Sequence, residues 1–96
     1  MVGITIKKHV RNGELTLAVC DTELLGKEFE EGKTYLDLSS SFYQGKEESV
    51  EKVREHIQAA RNATIVGVEA VEAVKEVLEL NVRTVQNIPY AIIVKA

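Results

Sequence analysis

Val2-Gly3-Ile4-Thr5-Ile6-Lys7-Lys8-His9-Val10-Arg11-Asn12-Gly13-Glu14-Leu15-Thr16-Leu17-Ala18-Val19-Cys20 decides how the fold begins. Asn-Gly between two alternating apolar segments is a strong short-range hairpin signal, because both turn residues must accept a positive φ. Residues 2–20 are therefore expected to form a hairpin. A two-residue loop sets its register, pairing Val10 with Leu15, Ile6 with Val19 and Ile4 with Asp21 on one face. Lys7 with Ala18 and His9 with Thr16 lie on the other. The first face is expected to be core, and the second carries Thr5, Lys7, His9, Arg11 and Cys20.

Beyond the hairpin, Asp21 is positioned to cap a short helical turn through Thr22, Glu23, Leu24 and Leu25, which Gly26 ends. Thr34 to Leu38 is a short strand, and the polar loop after it, 39–46, contains Phe42 and Tyr43. From Glu47 to Arg61 the residues Val50, Val53, Ile57 and Ala60 recur at helical spacing, with Glu48 and Lys52 on the exposed side. Asn62 closes that helix, Thr64 to Val66 is a short buried strand, and Gly67 opens a second helix through Leu78 with Val71, Val74 and Leu78 inward. Arg83 to Ile88 and Ala91 to Val94 read as strands broken by Pro89, which has no amide to give to a ladder. The order predicts an α+β fold: one domain over 1–96, with a mixed β-sheet, an N-terminal β-hairpin and two helices packed mainly on one face.

Composition agrees with a globular chain of this size: 96 residues, 45% hydrophobic and 28% charged. The net charge is −3, with five basic and seven acidic side chains in 1–45 and seven and eight in 46–96. No half is a basic arm, so any contact with phosphates must use a local patch. The single cysteine, Cys20, has no internal disulfide partner. The opening residues contain no apolar run of signal-peptide length, and no stretch approaches the ~20 apolar residues of a membrane span. A reducing, cytoplasmic home is expected, with no membrane association.

The run Ala18-Val19-Cys20-Asp21-Thr22-Glu23-Leu24-Leu25-Gly26-Lys27-Glu28-Phe29, then Phe42-Tyr43-Gln44-Gly45, Ile65-Val66-Gly67 and Ile88-Pro89-Tyr90-Ala91, resembles a small archaeal family known as domain of unknown function 424. The resemblance spans essentially the whole chain. It implies an archaeal origin, a cytoplasmic location and a link to RNA or translation, and it supplies no mechanism. Thr64 stands where the family usually has Asn, and Tyr90 and Ile92 stand where His and Gln are usual.

Lys7, His9 and Arg11 on one strand face make the main local concentration of basic groups, with Lys8 at its rim. Phe42, Tyr43 and Lys46 extend it to a nucleic-acid surface if the loop lies against the hairpin, because aromatic rings stack on bases and cations meet phosphates. Against this stands a plain solvated strand face with Glu14 paired to Arg11. Gly67 at a helix start, with Asp21 and Lys27, is the alternative, an anion or nucleotide site of a small-molecule-binding protein or enzyme. It lacks a glycine-rich loop. Cys20 with His9 and His56 suggests a nucleophile and base, but the spacing pairs none of them, and no metal-ligand set or cofactor motif is present. A third reading is a protein–protein adaptor or homodimer formed through a C-terminal edge strand around Ile92, Ile93 and Val94. The leading expectation is a non-catalytic module binding RNA or a translation-related complex.

Overall fold

The computed structural model describes residues 3–95, so Val2, the expected first residue of the hairpin, lies outside the described residues. In chain order the elements are β1 (Ile4–Arg11), β2 (Glu14–Asp21), a 3-10 turn (Thr22–Leu24), β3 (Glu28–Glu31), β4 (Thr34–Asp37) and a second 3-10 turn (Ser41–Tyr43). They continue with β5 (Lys46–Glu48), α1 (Val50–Ala59), β6 (Asn62–Val66), α2 (Val68–Lys75), β7 (Arg83–Val85) and β8 (Ile88–Val94). A six-stranded sheet runs β5-β1-β2-β6-β8-β7, and β3 and β4 form a separate two-stranded sheet. Among the described residues only β2 and β6 pair in parallel; the remaining pairs are antiparallel. The fold is α+β, with a mixed sheet.

The Asn12-Gly13 turn forms with both φ angles positive, and the hairpin register is the expected one, with Ile4 opposite Asp21, Ile6 opposite Val19 and Val10 opposite Leu15. Ile4, Ile6, Leu17, Val19, Ala63 and Ile65 form a core with Val53 and Ile57 of α1 and Ala70, Val71, Ala73 and Val74 of α2. Both helices cover this one face. The opposite face is not simply solvated: Ala18, Cys20, Val66 and Tyr90 form a second core with Leu24, Leu38, Tyr43 and Val85, flanked by Phe29 and Leu36 of the small sheet. Its cover extends over only part of that face, across the row Thr5, Cys20, Val66 and Tyr90 and, on β2, as far as Ala18 of the next row.

Several local features depart from the sequence expectation: α1 ends at Ala59, Asn62 opens β6, and α2 ends at Lys75 rather than Leu78. Lys46–Glu48 is strand, paired with Ile4–Ile6, and the first helix begins later, at Val50, because the Ser49 hydroxyl accepts the Lys52 amide at 3.2 Å. Glu28–Glu31 pairs with Thr34–Asp37 as a hairpin, its acidic composition having masked the strand. Gln86 and Asn87, both at positive φ, turn the chain between β7 and β8, so Pro89 lies inside a strand rather than at a break. Strand alternation directs the residue 89 backbone to the β6 side, where its carbonyl accepts the Gly67 amide at 2.8 Å. The strand β6 has already ended at Val66, so no ladder donor is lost. In the strand order β8 lies between β6 and β7, but β7 flanks only Ile88–Tyr90, so residues 91–94 pair with no strand on that side among the described residues. No helix among the described residues is long and apolar enough to cross a membrane.

Candidate nucleic-acid interface

Period-two alternation along β1 puts Lys7, His9 and Arg11 on the face opposite the helices. The loop bearing Phe42 lies directly against this strip. The Phe42 and His9 rings stack with centroids 4.5 Å apart and planes 6° from parallel. Phe42 also accepts a hydrogen bond at its carbonyl from His9 Nε2, at 3.0 Å. A carbonyl only accepts, so the proton of a neutral His9 resides on Nε2 and Nδ1 is left as an acceptor. The Ser40 hydroxyl takes the Phe42 amide at 3.2 Å, fixing the turn that presents the ring. Lys7, Lys8, His9, Val10, Arg11, Thr16 and Phe42 line a shallow depression of about 670 Å³.

The structure sorts the expected residues. Arg11 is opposite Glu14 in the hairpin, but the Glu14 carboxylate pairs with Arg61 at 2.9 Å. Arg11 and Lys7 form no ion pair among the described residues. Tyr43 meets Phe42 edge-on at 5.2 Å but is only 8% exposed and belongs to the second core, where burial raises its phenol pKa. It supports Phe42 and offers no free stacking face. Lys46 is exposed, but it lies opposite Ile6, and cross-strand partners share a face; its side chain therefore starts from the helix side of the sheet, away from Lys7, His9 and Arg11.

Strand order adds residues that one strand alone does not reveal. Lys7, Ala18, Thr64 and Ile92 lie in one row across the sheet, and His9, Thr16, Asn62 and Val94 in the next. Thr16, Asn62 and Thr64 are half-buried, while Ile92 and Val94 are 65% and 75% exposed. No sequence signal identified this set, because it depends on the parallel β2–β6 pairing between segments more than 40 residues apart.

The alternative cluster has a different geometry. Asp21 does not cap the turn that follows it; its carboxylate reaches the start of α2 and accepts the amides of Glu69 at 3.2 Å and Ala70 at 2.7 Å. The amides a ligand would use thus already hold an internal anion. Gly67, at φ 110°, is what lets Asp21 in, since a Cβ there would fall 2.2 Å from the Asp21 carboxyl carbon. Lys27 is exposed and forms no ion pair with Asp21 among the described residues. Asp21, Glu23 and Glu69 place carboxylate oxygens within 4.8 Å of one another. Neighbouring Cys20 is fully buried, its thiol pushed up to about 12 by burial and by Asp21, so it is a poor nucleophile.

Asp21 is 3% exposed, and burial, followed by the Glu23 charge, raises its pKa above 3.8 despite the lowering effect of the helix amides. Between 3.8 and the raised folded value, the folded state holds more protons than the unfolded chain. This contribution to stability is present at low pH and is lost as pH rises through that window. Asp21→Asn removes it. The stability of wild type relative to Asp21→Asn, from urea unfolding, is therefore expected to fall as pH rises above 3.8 and then level off. A pH-independent difference would contradict this.

A family model described as "Protein of unknown function (DUF424)" matches residues 9–96. An uncharacterized conserved protein from Methanopyrus kandleri, known by its crystal structure, has a similar fold, with TM-score 0.77 and 23% sequence identity over 95% of this chain and 90% of that one. No curated protein matches the chain at a significant level.

Proposed function

Because the chain belongs to the DUF424 family, whose description assigns no chemistry, we propose a function from the site itself: a non-catalytic module that binds single-stranded RNA at the β1 face. The observation that carries this reading is the His9–Phe42 stack, with rings 4.5 Å apart, seated beside two cations free of ion pairs among the described residues. Aromatic surfaces stack bases without regard to sequence, and Lys and Arg neutralise phosphates. Lys7 and Arg11 lie on the strip, Lys8 at its rim and Arg61 near the hairpin end, held by Glu14. The partner named by this reading is cytoplasmic RNA or a translation-related assembly, in keeping with the family resemblance.

The test is fluorescence anisotropy with labelled single-stranded RNA over a range of salt. Wild type is expected to bind with an affinity that falls steeply as salt rises. The Lys7→Ala/Arg11→Ala double variant is expected to bind about tenfold more weakly, with a logarithmic salt slope shallower by about 1.4, the release expected for two single-strand phosphates. Absence of binding by a folded wild type at low salt, or a double variant that matches it in affinity and slope, would sink the proposal. Capture of the tagged protein from its host, with and without nuclease, then identifies the assembly.

A further inference from the structure

Resting on the RNA reading above, we propose that the open half of the sheet is a base-reading platform: an RNA strand held by its phosphates at β1 lays its bases across β2, β6 and β8. Thr16, Asn62 and Thr64 hydrogen-bond the base edges there, and Ile92 and Val94 receive the far base.

In the rows Lys7-Ala18-Thr64-Ile92 and His9-Thr16-Asn62-Val94, which cross four strands, every residue but the buried Ala18 is at least partly exposed. Neighbouring strands are about 4.8 Å apart, so the rows span about 14 Å from β1 to β8. Chemistry is graded along them. Cations and the Phe42 ring stand at the β1 end, hydroxyls and an amide in the middle, and two exposed aliphatic side chains at the β8 end.

The middle is the informative part. Thr16, Asn62 and Thr64 make no side-chain hydrogen bond among the described residues, whereas Thr5, one row into the covered half, bonds the Thr22 hydroxyl at 2.8 Å. Each hydroxyl donates and accepts, and the Asn amide does both in a fixed plane, which is what discrimination between base edges requires. Ala18, between Lys7 and Thr64, is fully buried in the second core, so the cover reaches this far on β2 and a base lies over Thr16, Asn62 and Thr64 beside it. A surface that met only phosphates would need neither these groups nor the aliphatic pair, since backbone contacts carry no sequence information.

Charge complementarity at the β1 end selects a polyanion, and the ungrouped hydrogen-bonding side chains select one with exposed base edges. The experiment compares short homopolymers of each base, by anisotropy and by amide shifts in NMR spectra of the whole chain. Wild type is expected to prefer one base and to shift the amides of Asn62, Thr64, Ile92 and Val94. Asn62→Ala with Thr64→Val is expected to weaken the preferred homopolymer about tenfold and flatten the base ranking, with the salt slope unchanged. Thr16→Val, nearly isosteric, provides a second test if the double variant is poorly folded. If these variants keep the wild-type affinity and ranking while Lys7→Ala/Arg11→Ala still weakens binding, the platform is wrong and the RNA reading stands. If no homopolymer binds wild type, both fall.

Discussion

Gly67→Ala is expected to destabilise the folded protein by about 2–5 kcal/mol, the largest single-residue effect anticipated here. Two costs add. Backbone at φ 110°, ψ 156° is a region that only glycine adopts without strain, which costs about 1–3 kcal/mol for a residue bearing a Cβ. The new Cβ would also fall 2.2 Å from the Asp21 carboxyl carbon and 2.5 Å from one of its oxygens, so Asp21 must leave the amides of Glu69 and Ala70. Loss of a helix cap costs about 0.5–2 kcal/mol. Urea unfolding of the two proteins measures the sum. Asp21→Ala, which loses the cap without backbone strain, should account for part of it, and the two substitutions combined should be clearly sub-additive, because they break the same contact. Strict additivity would show that the glycine serves some other purpose.

Gly45→Ala is expected to cost about 1–3 kcal/mol and to disturb the candidate site selectively. A Cβ at residue 45 would lie 1.9 Å from the Ile6 carbonyl oxygen and 2.8 Å from the Lys7 α-carbon. Both are backbone atoms of the sheet and cannot move aside as a flexible side chain does. The chain before β5 must lift, carrying the turn that holds Phe42 over His9. Chemical shifts of the His9 ring and the Phe42 amide should therefore change strongly, while the amides of α2 stay near their wild-type positions. RNA affinity should fall as well, by the stacking contribution of about 1–3 kcal/mol per base. Unchanged His9 shifts would mean that the loop is held in place by something other than its close approach to β1.

Features governed by neighbouring residues could be read from sequence. Asn12-Gly13 announced its turn and thereby the whole β1–β2 register, and alternation then placed Lys7, His9 and Arg11 on one face. The apolar stripe of Val53 and Ile57 marked the first helix. What escaped was set by distant partners. Asp21 looked like a cap for the turn beside it, because a carboxylate before a helical turn ordinarily is one; the amides it takes are 48 and 49 residues away. Gln86-Asn87 hid a tight turn, since Gln is not a usual residue at positive φ. Arg11 was expected to be neutralised by Glu14, and only the tertiary structure shows Arg61 as the partner. The open face was illegible for the same reason: its residues come from four strands whose order no local pattern encodes.

The parallel pairing of β2 with β6, which joins Thr16 to Asn62 and Cys20 to Val66, also sets a timetable for synthesis. As the chain leaves a ribosome the N-terminal hairpin emerges early, with Leu17 and Val19 already in place, but the strand that adjoins them is 46 residues behind. At about 5–20 residues per second that gap is roughly 2–9 s, long compared with the microseconds in which a hairpin forms. Through that interval the nascent hairpin exposes an apolar face and an unpaired edge, and it is then that a chaperone has the most to hold.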